Sequence, residues 1–173
     1  MVRTRPAALT AALVAAVLAV LLSAVNAFLI RLGVSVVPVS LAFGSPVLWP
    51  LTGRASGTAV LIALVQFVLI GMLVALVTTL AARGTAPGRG FGAVLFAVWL
   101  GAVLAGYLTG PIVLPYLLRG YDGGPNLFLT QLVSSAGRGG GWGFSWGWLP
   151  GVVAGLVHRA VNARAAGAPV RAS

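Results

Sequence analysis

Two stretches of the chain are too long and too apolar to belong to an ordinary water-soluble domain. Residues 7–30 and 57–82 contain no charged side chain. At 1.5 Å per residue, a helix over the first stretch reaches about 36 Å, which is enough to cross about 30 Å of hydrocarbon with some tilt. Both stretches therefore predict transmembrane helices.

The overall composition favours the same interpretation. Hydrophobic residues make up 60% of the chain and charged residues only 7%, whereas about 25% charged residues are typical of a soluble domain. The net charge of +10 comes from arginines dispersed at the ends of apolar runs, so the chain has no basic patch of the kind that binds nucleic acid. The absence of cysteine excludes disulfides, thiolate metal sites and cysteine nucleophiles.

Two further apolar runs are interrupted by proline. A straight helix from Phe91 to Leu118 would reach about 42 Å, which is too long for one crossing. Pro111 therefore predicts that the regular helix ends near Gly110, followed by a kinked or interfacial segment. Residues 146–161 reach only about 24 Å, with Pro150 near their start, so they can span only if the neighbouring tryptophans already lie at headgroup level.

These runs together predict one membrane domain over residues 1–173 and an all-α integral membrane protein. The predicted fold is a four-helix transmembrane bundle with apolar re-entrant or interfacial outer loops. Its predicted spans are 7–30, 57–82, 91–110 and 146–161. The outer segment 32–55 is too apolar for a solvated loop, and residues 126–136 are expected to form a short helix on the membrane surface.

Aromatic rings occur at every second position from 142 to 148. They are Trp142, Phe144, Trp146 and Trp148. We interpret them as an interfacial belt, because tryptophan concentrates at membrane–water boundaries. A ring platform that stacks a ligand and a glycine-rich loop without a special role are the alternatives.

The distribution of arginine predicts that both termini are cytoplasmic. With that orientation seven arginines lie inside, and four, including Arg138, lie outside, in agreement with the positive-inside bias. A cleaved signal peptide ending near residues 25–27 is the alternative for the N-terminus. The localisation expected is the bacterial cytoplasmic membrane.

Small residues recur at a spacing of four in the predicted spans. In lipid such rows let two helix backbones approach closely, although an alanine-rich composition also generates them by chance. The third span, with two adjacent rows, is expected to be the central packing helix. The glycines predicted at helix contacts are Gly101, Gly106, Gly110, Gly151 and Gly155.

Few residues are available for chemistry. Asp122 is the only acid and is expected to support a turn, with a functional carboxylate as the alternative. His158, the only histidine, is expected to cap a helix at the opposite face of the membrane. Because the two cannot form an acid–base pair, and no metal-ligand cluster or phosphate loop is present, we expect no enzymatic activity and no cofactor.

No ionisable residue falls inside a predicted span, so the polar groups within the spans are uncharged. The polar candidates are Asn26, Gln66, Tyr107 and Thr109. Gln66 lies near the middle of its span, where its amide is expected to bond to Thr109 or to a backbone carbonyl, and the alternative is that it lines a solute path.

Two functional hypotheses follow from these patterns. The first is a non-enzymatic accessory, assembly or scaffold subunit that acts through helix packing and its outer apolar loops. The second is a homo-oligomeric transporter or channel for a small solute or lipid. The missing intramembrane charge favours the first. The expected partners are membrane lipids and other membrane helices, and no nucleic acid.

Overall fold

Five long helices make up the described part of the chain. A computed structural model describes residues 4–32, 57–85, 90–119 and 124–166, and no strand occurs in these ranges. The predicted outer segment, from residue 33 onward, and Asp122 lie outside the described residues. The helices are α1 (Arg5–Arg31), α2 (Gly57–Arg83), α3 (Phe91–Thr109), the single turn α4 (Leu114–Leu117), α5 (Gly124–Trp146) and α6 (Trp148–Ala166).

Three of these helices are long and apolar enough to cross a membrane. The candidate spans are Arg5–Asn26, Gly57–Arg83 and Phe91–Tyr116, with mean hydropathies of 2.6, 3.0 and 2.1. Large apolar side chains point outward along all three helices, as Leu13, Met72 and Leu104 illustrate. A soluble domain rarely exposes so continuous an apolar surface, so these helices are suited to a lipid environment.

The third span changes its helical form where the prolines predict it. The α-helix ends at Thr109, a 3-10 turn follows over Gly110–Val113, and α4 begins at Leu114. Pro111 removes the N–H that would bond to the carbonyl four residues earlier, and Pro115 does the same one turn later. The tighter turn keeps the chain helical, with the Leu114 amide bonded to the Pro111 carbonyl.

The predicted short surface helix over residues 126–136 is wrong, because α5 is one continuous helix of 23 residues. It starts at Gly124, whose φ of 66° suits glycine, and Pro125 follows in the first turn. Five further glycines follow in the interior of the helix, and each costs about 1 kcal/mol relative to alanine. Local propensity therefore opposes this helix, and tertiary packing has to hold it.

That packing is a seam of direct backbone contact between α3 and α5. Gly106 lies against the Gly139 backbone, and one turn further along Gly110 lies against the Ser135 carbonyl. In the other direction Gly143 lies against the Ala102 carbonyl. Both helices advance four residues per contact in opposite directions, so they are antiparallel. We call these contacts the glycine seam.

Helix α6 continues the direction of α5 along the same side of α3. Gly151 lies against the Leu95 carbonyl, and Gly155 lies against the Phe91 ring. Hydrogen bonds cross the junction from the Gly147 amide to the Gly143 carbonyl (2.8 Å) and from the Gly151 amide to the Gly147 carbonyl (3.3 Å). The two helices therefore form one bent helical path antiparallel to α3.

The bend at Gly147 has two causes in the sequence. Pro150 lacks the N–H that would bond to the carbonyl of Trp146, which weakens the helix at this point. Gly147 itself faces the Ala102 side chain so closely that an added Cβ would lie 2.7 Å from it. The bend thus occurs where a proline and a close helix contact coincide.

Helix α3 packs against α2, α5 and α6, while α1 packs against α2 and α6. The core is formed largely of small or β-branched residues, among them Ala15, Ala102, Val74 and Val98. Small side chains let neighbouring helices approach closely. In lipid, such close packing, rather than the exclusion of water, holds helices together.

The glycine seam predicts opposite effects for two neighbouring glycines of α5. An added Cβ at Gly139 meets the Gly106 backbone, whereas at Gly137 it meets nothing within 4 Å. Gly139→Ala should therefore lower the free energy of unfolding by about 1–3 kcal/mol through overpacking. Gly137→Ala should leave it unchanged or raise it by up to about 1 kcal/mol. Thermal unfolding in detergent measures both, and equal effects would contradict the seam.

Candidate functional site

Several polar side chains inside the bundle make hydrogen bonds within the chain. Gln66 is fully buried on α2, and its Nε2 donates a 2.9 Å hydrogen bond to the carbonyl oxygen of Thr109 on α3. The predicted interhelical bond of Gln66 is thereby confirmed, with the backbone of Thr109 as the acceptor. The Thr109 hydroxyl donates to the Ala105 carbonyl at 2.7 Å.

The other polar candidates do not join this pair. Tyr107 and Thr109 are two residues apart on a helix and therefore point to opposite sides. Thr109 is buried beside Gln66, while the half-exposed ring of Tyr107 covers Gly140 on α5. Asn26 is partly buried on α1. The structure therefore does not assemble these four residues into one polar path within the chain.

The four aromatic residues predicted as a belt point in different directions. Trp142 is fully buried in the core, and Trp146 packs partly buried against the same core. Phe144 and Trp148 are 63% and 47% exposed. Residues two apart on a helix lie on opposite sides, so the alternation divides the rings between core and surface. Trp142, at least, is not part of an outward-facing belt.

Tryptophan side chains satisfy the backbone at the bend between α5 and α6. A break in a helix frees the last carbonyls of the preceding segment. Trp99 on α3 donates from Nε1 to the Phe144 carbonyl at 2.8 Å, and Trp148 donates to the Ser145 carbonyl at 2.9 Å. The ring of Trp99 also lies 5.2 Å from that of Phe144. Sequence reasoning missed Trp99, because its acceptor exists only once the helix is bent.

One indole N–H in the core lacks such an acceptor. The Nε1 atom of Trp142 is buried and has no hydrogen-bond partner among the described residues. Buried polar groups are nearly always paired with protein or with ordered water. The indole N–H of Trp142 is therefore a buried polar group that lacks a hydrogen bond within the described interior.

A second polar cluster ties α6 to the end of α2. His158 is 1% exposed, and its Nε2 lies 3.1 Å from the Thr85 hydroxyl oxygen. Because that hydroxyl donates to the Ala82 carbonyl, its oxygen is left to accept a hydrogen bond from the N–H of Nε2. Nδ1 then accepts from the Asn162 amide at 3.3 Å. His158 is thus a buried link between helices in this structure, not the exposed helix cap expected from the sequence.

The glycines predicted at helix contacts all lie against neighbouring helices. Gly101 faces Val77 of α2, with an added Cβ 3.1 Å from that side chain. Gly106 and Gly110 form the glycine seam with α5, and Gly151 and Gly155 face α3. Sequence reasoning missed the half of the seam on α5, because a run of glycines over residues 137–141 opposes a helix locally. A four-residue period running from Ser135 through Gly139 and Gly143 to Gly155 was the available signal.

The described residues offer no constellation for metal or acid–base chemistry. No group of three or more His, Cys, Asp or Glu side chains occurs among them. Comparisons with family models, curated proteins and solved structures gave no match to this chain. The candidate functional features are therefore the helix contacts and the surfaces that the bundle presents.

The bend predicts a specific role for the indole N–H of Trp99. Trp99→Phe keeps an aromatic ring but removes the donor to the Phe144 carbonyl, so it should destabilise the protein by about 1 kcal/mol. Amide hydrogen exchange near residues 147–151 should also become faster. Phe144→Leu is the control, because it removes the ring contact but keeps the carbonyl. Unchanged exchange in Trp99→Phe would contradict this role.

Proposed function

We propose that this chain is a non-enzymatic, multi-pass membrane protein that serves as an accessory, assembly or scaffold subunit. The observation that carries the proposal is the engagement of the interior polar groups. Gln66, the best candidate for lining a solute path, is fully buried and bonded to Thr109. Thr78 likewise donates to the carbonyl of Val74 in its own helix. The bond of Gln66 therefore supports helix association and that of Thr78 stays within its own helix, so both favour a packing role over a path for a solute.

The distribution of ionisable residues supports a role without catalysis. The chain has one acid, Asp122, and one histidine, His158. The imidazole of His158 is buried and committed to Thr85 and Asn162. General acid–base catalysis needs a titratable group within reach of a substrate, and His158 is not presented to one.

The proposed membrane topology has four crossings and two cytoplasmic termini, in a bacterial cytoplasmic membrane. Helices α1, α2 and α3 supply three crossings. For the fourth we propose the bent path of α5 and α6, where Ser135 lies level with Gly110 and Gly155 lies level with Phe91. This crossing replaces the shorter span predicted over residues 146–161. The glycines of α5 keep the mean hydropathy of the proposed crossing low.

Single cysteines test this topology without background, because the chain has none of its own. Arg119 and Arg164 are both exposed. In intact cells a membrane-impermeant maleimide should label Arg119→Cys and leave Arg164→Cys unlabelled until the cells are opened. If both cysteines are labelled in intact cells, the path of α5 and α6 does not cross, and the proposed fourth span is wrong.

The accessory role predicts a hetero-complex. Native mass spectrometry of the tagged protein, gently extracted from its own membrane, should show a stoichiometric complex with a different and larger membrane protein. An unrelated membrane protein with the same tag gives the background. A closed homo-oligomer without another chain would contradict the role and favour the transporter alternative. The next measurement would then compare solute flux through the Gln66→Leu variant with flux through the unmodified protein.

A substitution in the glycine seam, such as Gly106→Leu, is not a suitable test of the proposed hetero-complex. Gly106 contacts the Gly139 backbone of the same chain, so a leucine there would disturb the fold before it reached any partner. Variants on outward faces are needed instead, and α5 offers one.

A further inference from the structure

Arg138 lies halfway along the bundle and not at its outer surface, where the sequence placed it. Its neighbour Gly139 contacts Gly106, which is near the middle of the candidate span Phe91–Tyr116. If α3 crosses the membrane over Phe91–Tyr116, the α-carbon of Arg138 therefore lies within the hydrocarbon, about 5 Å from its middle on the Tyr116 side. Arginine at that depth is rare and usually functional, because its charge is costly to place there.

The guanidinium has little support from its own chain. Arg138 is exposed, and the hydrogen bond that the structure gives it is a long one of 3.5 Å to the Ser134 hydroxyl one turn away. The described residues include no aspartate or glutamate. No carboxylate from these residues can therefore neutralise the charge.

The surface around Arg138 differs from the lipid-facing surfaces of α1 and α2. Ser134, Gly137, Gly141 and Ser145 share its side of the helix at spacings of three and four residues. An added Cβ at Gly137 or Gly141 would meet nothing within 4 Å. Another helix can therefore approach the backbone at Gly137 and Gly141 without meeting a side chain at these two positions. We call these five residues the Arg138 face.

We propose that the Arg138 face binds a transmembrane helix of a different membrane protein, and that a carboxylate on that helix pairs with Arg138. This inference rests on the proposed accessory function and supplies the chemistry of its partner. A carboxylate matches the guanidinium because it accepts two parallel hydrogen bonds from it. Such a pair cancels both charges where water is scarce.

A second copy of this chain cannot supply the acid. Its one acid, Asp122, precedes Gly124, and Gly124 is about 21 Å along the helix axis from Arg138. Copies that share one orientation in a membrane keep Gly124 and Arg138 at different depths. A lipid phosphate is less suitable, because about 10 Å of hydrocarbon separates the depth of the Arg138 α-carbon from the nearer membrane boundary.

Synthetic transmembrane peptides test the proposal directly. The full-length protein, labelled through Arg164→Cys, is reconstituted in phosphatidylcholine vesicles with leucine–alanine peptides that carry Asp, Asn or Leu at the central position. Energy transfer reports association. The Asp peptide should bind about five- to thirty-fold more tightly than the Leu peptide. Arg138→Leu should abolish that difference, while Arg119→Leu, which removes an exposed arginine elsewhere, should preserve it.

The glycines of the face give a second readout. Gly137→Ile and Gly141→Ile add a side chain where the monomer has open space, so each should keep the thermal stability of the protein and weaken binding of the Asp peptide. Equal binding of the Asp and Leu peptides by the unmodified protein would overturn the proposal. Arg138-dependent retention of phosphatidylglycerol without peptide discrimination would also overturn it, and would assign the charge to a lipid phosphate.

Native mass spectrometry of the Arg138→Leu variant, read together with the peptide experiment, tests this inference separately from the accessory function. If Arg138→Leu leaves a stoichiometric hetero-complex intact and the peptides are not distinguished, the accessory function stands and the proposed face is wrong. If the Asp peptide is distinguished but no hetero-complex exists, the face stands as an acid-binding surface and the accessory function is wrong.

Discussion

The direct contact between the backbones of α3 and α5 is the interaction on which the rest of this structure depends. In lipid, apolar side chains gain little by moving into protein, so helices there are held together by close packing. Glycine at 106, 110, 139 and 143 allows that packing. The seam also fixes the register of the whole path from α5 to α6. It brings Gly147 beside Ala102, the Phe144 carbonyl within reach of Trp99, and Gly155 onto Phe91.

The sequence predicted those parts of the fold that one strong constraint determines. Long uncharged runs have few alternatives to a spanning helix, so the positions of α1, α2 and α3 followed from them, and Pro111 marked the end of α3. A buried amide needs an acceptor, so the bond of Gln66 followed as well. Helix α5 did not follow, because its glycines oppose a helix locally and only contact with α3 reverses that preference.

The aromatic residues also show that local sequence patterns do not predict contacts that depend on tertiary packing. Rings at every second position suggest one surface when the segment is read as extended, but a helix places them on opposite sides. Their polar edges then find different environments: Trp148 reaches the Ser145 carbonyl, whereas Trp142 is buried without a partner among the described residues. Trp99 has a role that no local pattern contains, because the carbonyl it binds becomes free only at the bend.

The helical path of α5 and α6 depends on neighbouring helices for its stability. Its glycines cost several kcal/mol of helix stability in total, at about 1 kcal/mol each, and Arg138 adds a charge at the depth of Gly106. Contact with α3 compensates on one side, where Gly139 and Gly143 are packed. On the other side Gly137 and Gly141 have the same lack of side chain without any contact. Glycine on that side weakens the helix and makes no contact within the isolated chain, and this imbalance is the physical basis for the second helix proposed at the Arg138 face.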